Sequence, residues 1–316
     1  MPGEFDLIRR YFKDQAPIRD DVVLGIGDDG AQVKTDGSSL AITVDALVSG
    51  VHFPESTPAR AVGHRSLAVN LSDVAAMGAV PQWVTLALTL PTADENWLAD
   101  FCAGFFELAR AHNVQLIGGD TVRGPLHVAV QAIGRLGSRT LRRDGGQVDD
   151  DVWVSGNIGD AAAGLRLFEQ ASSSHPLVRR FLYPTPRVNL GVSLVDWATA
   201  CIDVSDGLAV DLRRLASASG CGAELALEAL PLSQALSESF DMQERQYLAL
   251  NGGDDYELCF CVPRARRAAF VNWCRDQNHV ATRVGRLRAG DSLVLKDNDE
   301  IVTRTLSGYD HFTQEE

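Results

Sequence analysis

Leu40-Ala41-Ile42-Thr43-Val44-Asp45 (LAITVD) is an apolar run that ends on a carboxylate. Its β-branched residues suit a strand. An acid at a strand end sits where an open sheet presents side chains to a ligand. The same grammar returns in CIDV (residues 201–204), where Asp203 closes a second apolar run. Upstream of the first run, Val22–Leu24 is a further strand, and between the two lies GIGDDG (residues 25–30). Glycines at that spacing free backbone N–H groups to approach a phosphate. The adjacent acids Asp28 and Asp29 would repel the same anion, unless they hold cations that the phosphate then shares.

Working outward, Ala61–Met77 reads as a helix rich in Ala, Leu and Val, stopped by Gly78 and followed by Pro81. WVTLALTL (83–90) and His127–Leu136 read as strands, and Asp94 caps a helix that runs to about His112. Val114–Ile117 reads as a short strand entering a Gly-Gly-Asp turn, and Phe5–Phe12 as a short amphipathic helix. Arg142–Asp151 (RRDGGQVDDD) is polar, charged and glycine-bearing. It marks the junction between a domain over 1–141 and another over 150–316. Beyond it, strands are expected at Val152–Ser155, Glu257–Val262, Arg283–Leu287 and Leu293–Leu295. Helices are expected at Ala161–Gln170 and from Val188, with a surface loop at Ala171–His175. Both halves therefore mix α and β, and the strand-poor gaps speak against one doubly wound sheet throughout.

A chain of 316 residues exceeds the usual single core, which favours two domains. A net charge of −13 excludes nucleic acid as a principal partner, since phosphate backbones need clustered Lys and Arg. Lysine is confined to Lys13, Lys34 and Lys296. No apolar stretch reaches the ~20 residues of a membrane span, and the first residues lack a signal peptide's apolar core. Cytoplasmic residence is the expectation. The six cysteines form no CxxC pair and read as buried free thiols, with Cys259 and Cys261 on one strand face.

Three stretches run from glycine into aspartate: GIGDD (25–29), IGGDT (117–121) and NGGDD (251–255). Aspartate in such places ordinarily caps helices or fills turns, and Asp94 and Asp211 are read as capping or surface residues. Asp28, Asp29, Asp45, Asp73, Asp120, Asp203, Asp206, Asp254 and Asp255 are too many, and too often at strand ends, for that reading alone. Mg²⁺ takes hard oxygen ligands, usually a few carboxylates with waters and substrate phosphates, so the pattern suits a magnesium–nucleotide site. A Walker A loop needs Gly-Lys, which is absent, and the kinase HRD loop is absent too. Phosphate charge must then meet metals, helix N-termini and arginines such as Arg123, Arg142 and Arg143. His52, close after Asp45, is a candidate substrate contact, while His64 and His311 are read as structural.

GEFDLIRRYF, GIGDDGA, LAITVDALVSGVHF, LAVNLSDVAAMGA, QLIGGDTVRGP, CIDVSDGL, NGGDDYELCF and the late GYDHF occur in one order from residue 3 to 312. Together they resemble the thiamine-monophosphate kinase family, within the aminoimidazole-ribonucleotide-synthetase-like superfamily. The resemblance implies a mixed α/β, two-domain architecture in which an N-terminal sheet dimerises and a C-terminal α/β domain closes a cleft. It implies phosphoryl transfer from ATP to thiamine monophosphate, assisted by several Mg²⁺ ions, in a homodimer. It further implies Mg²⁺ ligands at Asp29, Thr43, Val44, Asp45, Asp73, Asp120, Asp203 and Asp206. Nucleotide contacts fall at Gly119, Asp120, Arg143 and Ser205, and thiamine phosphate contacts at His52, Asp254 and Tyr309. Two positions depart from the family pattern. Val44 stands where a hydroxyl residue is usual: if the family's ligand there is a backbone carbonyl nothing is lost, and if it is the hydroxyl one metal is bound more weakly. Asp254 stands where glutamate is frequent. The implied acceptor is a phosphate monoester, largely ionised near neutral pH. Direct in-line transfer without a catalytic base or a phosphoenzyme is therefore expected.

Overall fold

The computed structural model describes residues 22–24, 28, 31–35 and 38–309. The expected helix at Phe5–Phe12, and the residues Asp29 and His311, lie outside the described residues. Two sheets organise the rest. The first has the order β1-β2-β3-β6-β4-β5, from β1 (Val22–Leu24), β2 (Ala31–Thr35), β3 (Ser38–Val48), β4 (Val80–Leu90), β5 (Gln115–Arg123) and β6 (His127–Arg135). All its pairings are antiparallel except β4 with the edge strand β5.

The second sheet has the order β13-β12-β9-β11-β7-β10-β8. Its strands are β7 (Asp151–Ser155), β8 (Ala200–Val204), β9 (Gly222–Ala226), β10 (Glu257–Val262), β11 (Ala281–Arg288), β12 (Leu293–Asp297) and β13 (Glu300–Val302). Strand β10 is buried along its whole length between β7 and β8. That accounts for the unbroken apolar run LCFCV. Cys259 and Cys261 are buried there as free thiols, as expected; Cys102, by contrast, is exposed.

Helix α1 (Ala59–Ala76) joins the two halves. Fourteen of its 18 residues are buried, which is why its sequence carries no simple apolar stripe: a helix covered on all sides needs none. One face packs on the first sheet and on α2 (Glu95–Ala111), which Asp94 caps by accepting from the Asn96 and Trp97 N–H groups. The opposite side meets the second half. One continuous core runs from Val84 and Val130 of the first sheet, through Leu67 and Leu71, to Leu258 and Phe260 of β10. The remaining helices, α3 (Asp160–Leu167), α4 (Pro176–Leu182), α5 (Val188–Leu194), α6 (Leu208–Ala218), α7 (Gln234–Ser239), α8 (Met242–Asn251) and α9 (Arg267–Asp276), belong to the second half.

One sequence expectation is corrected here. Gly118-Gly119-Asp120 is not a turn after a short strand but the interior of β5. The reason is steric. At a bulge in the β4–β5 pairing, strand β4 comes so close that a Cβ on Gly119 would lie 1.8 Å from the Leu86 carbonyl oxygen. The glycine permits an approach, not a reversal.

Candidate active site

The end of β3 and the following loop, one side of α1, the turn after β8 and the loop before β10 enclose a cavity of about 690 Å³. Asp45, His52 and Asp73 line it from the first half; Asp203, Ser205, Asp206, Asp254, Tyr256 and Tyr309 line it from the second. Acids distant in sequence thus converge at the ends of two strands that belong to different sheets.

Helix α1 sets the geometry from the middle. Val69 and Asp73, one turn apart, share the side that faces the cleft. Thr43 Oγ1 donates to Asp73 Oδ2 at 2.5 Å, and the Asp45 N–H donates to Asn70 Oδ1 at 3.0 Å. Ser72 Oγ donates to Asp203 Oδ2 at 2.7 Å, across to the other sheet. Side chains of Asn70, Ser72 and Asp73, three residues in the NLSD motif, thereby register both strand ends against one rod. Of these, only Asp73 is expected from the sequence. Asn70 and Ser72 are polar letters in the second half of α1, LAVNLSDVAA, where every other residue except Asp73 is apolar.

The turn after β8 is held from below. Asp211, in the first turn of α6, accepts the N–H groups of Ser205 and Asp206 at 3.1 and 3.0 Å and pairs with Arg214 at 2.7 Å. It is 1 % exposed, so it is an interior cap and not a surface residue. Burial pushes its carboxyl up to about 7, with the Asp206 charge adding to the rise and Arg214 opposing it. Arg214 also reaches Asp206 Oδ2 at 2.5 Å. On the other wall, Val48 N–H donates to His52 Nδ1 at 3.0 Å. This leaves the proton of a neutral ring on Nε2. The Tyr309 N–H donates to the Asp206 carbonyl at 3.3 Å, tying the late segment to the same turn.

Four expected residues stand elsewhere. Val44 is 62 % exposed and points to the sheet face opposite Asp45, so only its backbone is near the site. Arg143 lies on the connection between the halves, its N–H directed to Asp28 Oδ2 at 3.4 Å and its Nε 3.6 Å from Asp28 Oδ1. Gly119 and Asp120 are on β5, three strands from β3 in the sheet order, a separation of about 14 Å. Asp120 shares a cross-strand row with Ala87, Ala129 and Ala46, on the face away from α1. Within one chain it does not join the other acids. Arg142 pairs with Asp144.

Among the described residues, no three Asp, Glu, His or Cys side chains converge as a ready cage for an ion. Asp45, Asp73, Asp203 and Asp206 instead border an open space. That donor set, all hard carboxylate oxygens around room for further ligands, fits Mg²⁺, which keeps waters and takes phosphate oxygens.

Residues 27–136 match the family described as AIR synthase related protein, N-terminal domain, and residues 147–298 match its C-terminal domain. The thiamine-monophosphate kinase of Salmonella typhimurium is 44% identical over 320 residues, covering 98% of each chain. Among solved structures, the thiamine-monophosphate kinase from Stenotrophomonas maltophilia K279a is 46% identical with a TM-score of 0.80, over 88% of this chain and 92% of that one. AaThiL complexed with AMPPCP and TMP is 32% identical with a TM-score of 0.84, over 98% of this chain and 97% of that one.

Proposed function

We infer an activity from the premise that the chain belongs to the thiamine-monophosphate kinase family: it transfers the γ-phosphoryl group of ATP to the phosphate of thiamine monophosphate, giving thiamine diphosphate and ADP. The observation that carries the reading is the single cleft in which acids from both sheets adjoin His52, Asp254 and Tyr309. Asp45, Asp73, Asp203 and Asp206, with Asp29 and the carbonyl of Val44, are the proposed holders of Mg²⁺, and Thr43 orients Asp73. Bound there, Mg²⁺ would neutralise phosphate charge. Ser205 and Arg143 are the proposed nucleotide contacts, and His52, Asp254 and Tyr309 the acceptor contacts.

The electrostatic problem decides the division of labour. Two unit charges 4 Å apart repel by about 4 kcal/mol at an effective dielectric near 20, and the two substrates bring several. The acceptor oxygen is already ionised, so the chain's task is to align and to screen. His52, with Nδ1 occupied by the Val48 N–H, suits a donor to the acceptor and not a base. Transfer is direct, with no phosphoenzyme.

Asp120 and Gly119 enter this reading through a second copy of the chain. Their edge strand β5 lies on an exposed sheet face with Val44, Trp83 and Val122, of which Val44 and Val122 are at least half exposed. Covering that face with a partner would bring β5 toward the partner's site, and a homodimer is proposed on this ground. Division into domains over 1–141 and 150–316 accords with the two sheets and with family matches at 27–136 and 147–298. Free thiols at all six cysteines fit residence in the cytoplasm.

The test is chromatographic. Purified protein, ATP and Mg²⁺ are incubated with thiamine monophosphate or with free thiamine. Diphosphate formed from the monophosphate alone, and lost on adding EDTA, is expected. No product from the monophosphate overturns the reading.

A further inference from the structure

Arg65 is fully buried in α1, and 189 residues of sequence separate it from its partner. Its Nη2 donates to Asp254 Oδ1 at 2.7 Å and its Nη1 to the Phe181 carbonyl at 2.5 Å. The guanidinium carbon lies 4.6 Å from the Phe181 ring centre. A buried guanidinium is retained only where a carboxylate compensates its desolvation, and this carboxylate is a wall of the cleft, its side chain 27% exposed.

The same oxygen is held a second time. Tyr256 Oη donates to Asp254 Oδ1 at 3.0 Å. Among the described residues, Oδ2 accepts no hydrogen bond. The backbone is equally constrained: Asp254 and Tyr256 have φ of +72° and +50°, values that L residues rarely adopt. Their N–H groups donate to the Ser205 and Val204 carbonyls at 2.8 and 2.9 Å. Arg180 Nη2 fastens the intervening Asp255 carbonyl at 2.6 Å. A segment kept in sparsely populated conformations by this many contacts is over-determined, which is how binding geometry is preset.

We propose that Arg65 and Tyr256 are positioning residues that fix one oxygen of Asp254 so that the other is presented, at a set angle, to an N–H or cationic group of the phosphate acceptor. The role rests on the kinase reading and adds to it a determinant of acceptor recognition. A carboxylate already immobilised gives up little further freedom on binding, so the gain falls on acceptor affinity. The nucleotide, contacted elsewhere, is insensitive to it.

Tyr256→Phe removes one hydroxyl and keeps the ring; Arg65→Lys keeps the charge and loses the two-pronged grip. Each is compared with wild type by steady-state kinetics, varying thiamine monophosphate and ATP in turn, and by calorimetric titration with thiamine monophosphate. The expected result is an acceptor KM and Kd raised about tenfold, with the ATP KM within about twofold of wild type. Should Arg65→Lys not fold, Tyr256→Phe carries the test. An unchanged acceptor KM and Kd in Tyr256→Phe, or an ATP KM that rises by the same factor, overturns the proposal. Turnover by the wild type tests the kinase reading by itself, whereas the variant-to-wild-type ratios test the positioning role.

Discussion

Asp73 holds the most exacting position of any single residue. It sits on α1, which packs against both halves, takes a hydrogen bond from Thr43, and borders the cleft beside Asp45. Asp73→Asn keeps size and most packing but removes a charge where phosphate-bound cations would be held. Turnover of thiamine monophosphate should fall by at least about 10²–10³, with the thermal midpoint within about 2 °C of wild type, the shift that a 1 kcal/mol change would bring in a chain of this size. Initial rates at saturating substrates and a melting curve check both parts. Most such residues were legible as letters, because an acid at a strand end is a recognisable signal. Arg65 was not: a lone arginine in AVGHRSLAV reads as an exposed helix residue until the fold buries it. Val44 resolves in the other direction, since alternation along β3 turns its side chain away from the site.

The close crossing of α1 and α2 governs the elements. A Cβ on Gly63 would lie 2.0 Å from the Phe101 carbonyl oxygen, and one on Gly104 would lie 1.9 Å from that of Arg60. The two backbones touch, and no side chain can be moved aside to make room. Gly104→Ala should therefore destabilise the fold by about 1–3 kcal/mol, read as a lower urea midpoint at unchanged slope. Because α1 also carries Asn70, Ser72 and Asp73, activity should fall in the same variant. Elements with a plain apolar pattern, such as the unbroken run of β10 and the amphipathic α2, were readable in advance to within a few residues. Strand β5 was read too short, since its two glycines signal a turn as readily as a close neighbour. The helices α7 to α9 went unmarked, their apolar faces being narrow and supplied by tertiary contacts.

At the scale of the molecule, the division of Asp120 from Asp73 is the informative fact. If β5 of one copy completes the site of the other, two inactive variants should complement. Asp120→Asn and Asp73→Asn, co-expressed, would place one intact site in each mixed dimer, and about a quarter of wild-type activity should return. No recovery in a preparation shown by sedimentation to contain dimers would assign both residues to one chain's site.

The Arg65–Asp254 pair has a consequence in time. The chain is made from its first residue onward, at roughly 5–20 residues per second, and 189 residues separate the two partners. For some 10–40 s at those speeds, α1 waits beside the ribosome with its guanidinium unpaired and with Leu67 and Leu71 lacking the β10 surface that later covers them. The first half cannot be finished when it emerges. A nascent chain of this kind is a natural client for whatever in the cell shelters half-covered helices, and its yield should depend on that shelter more than its final stability suggests.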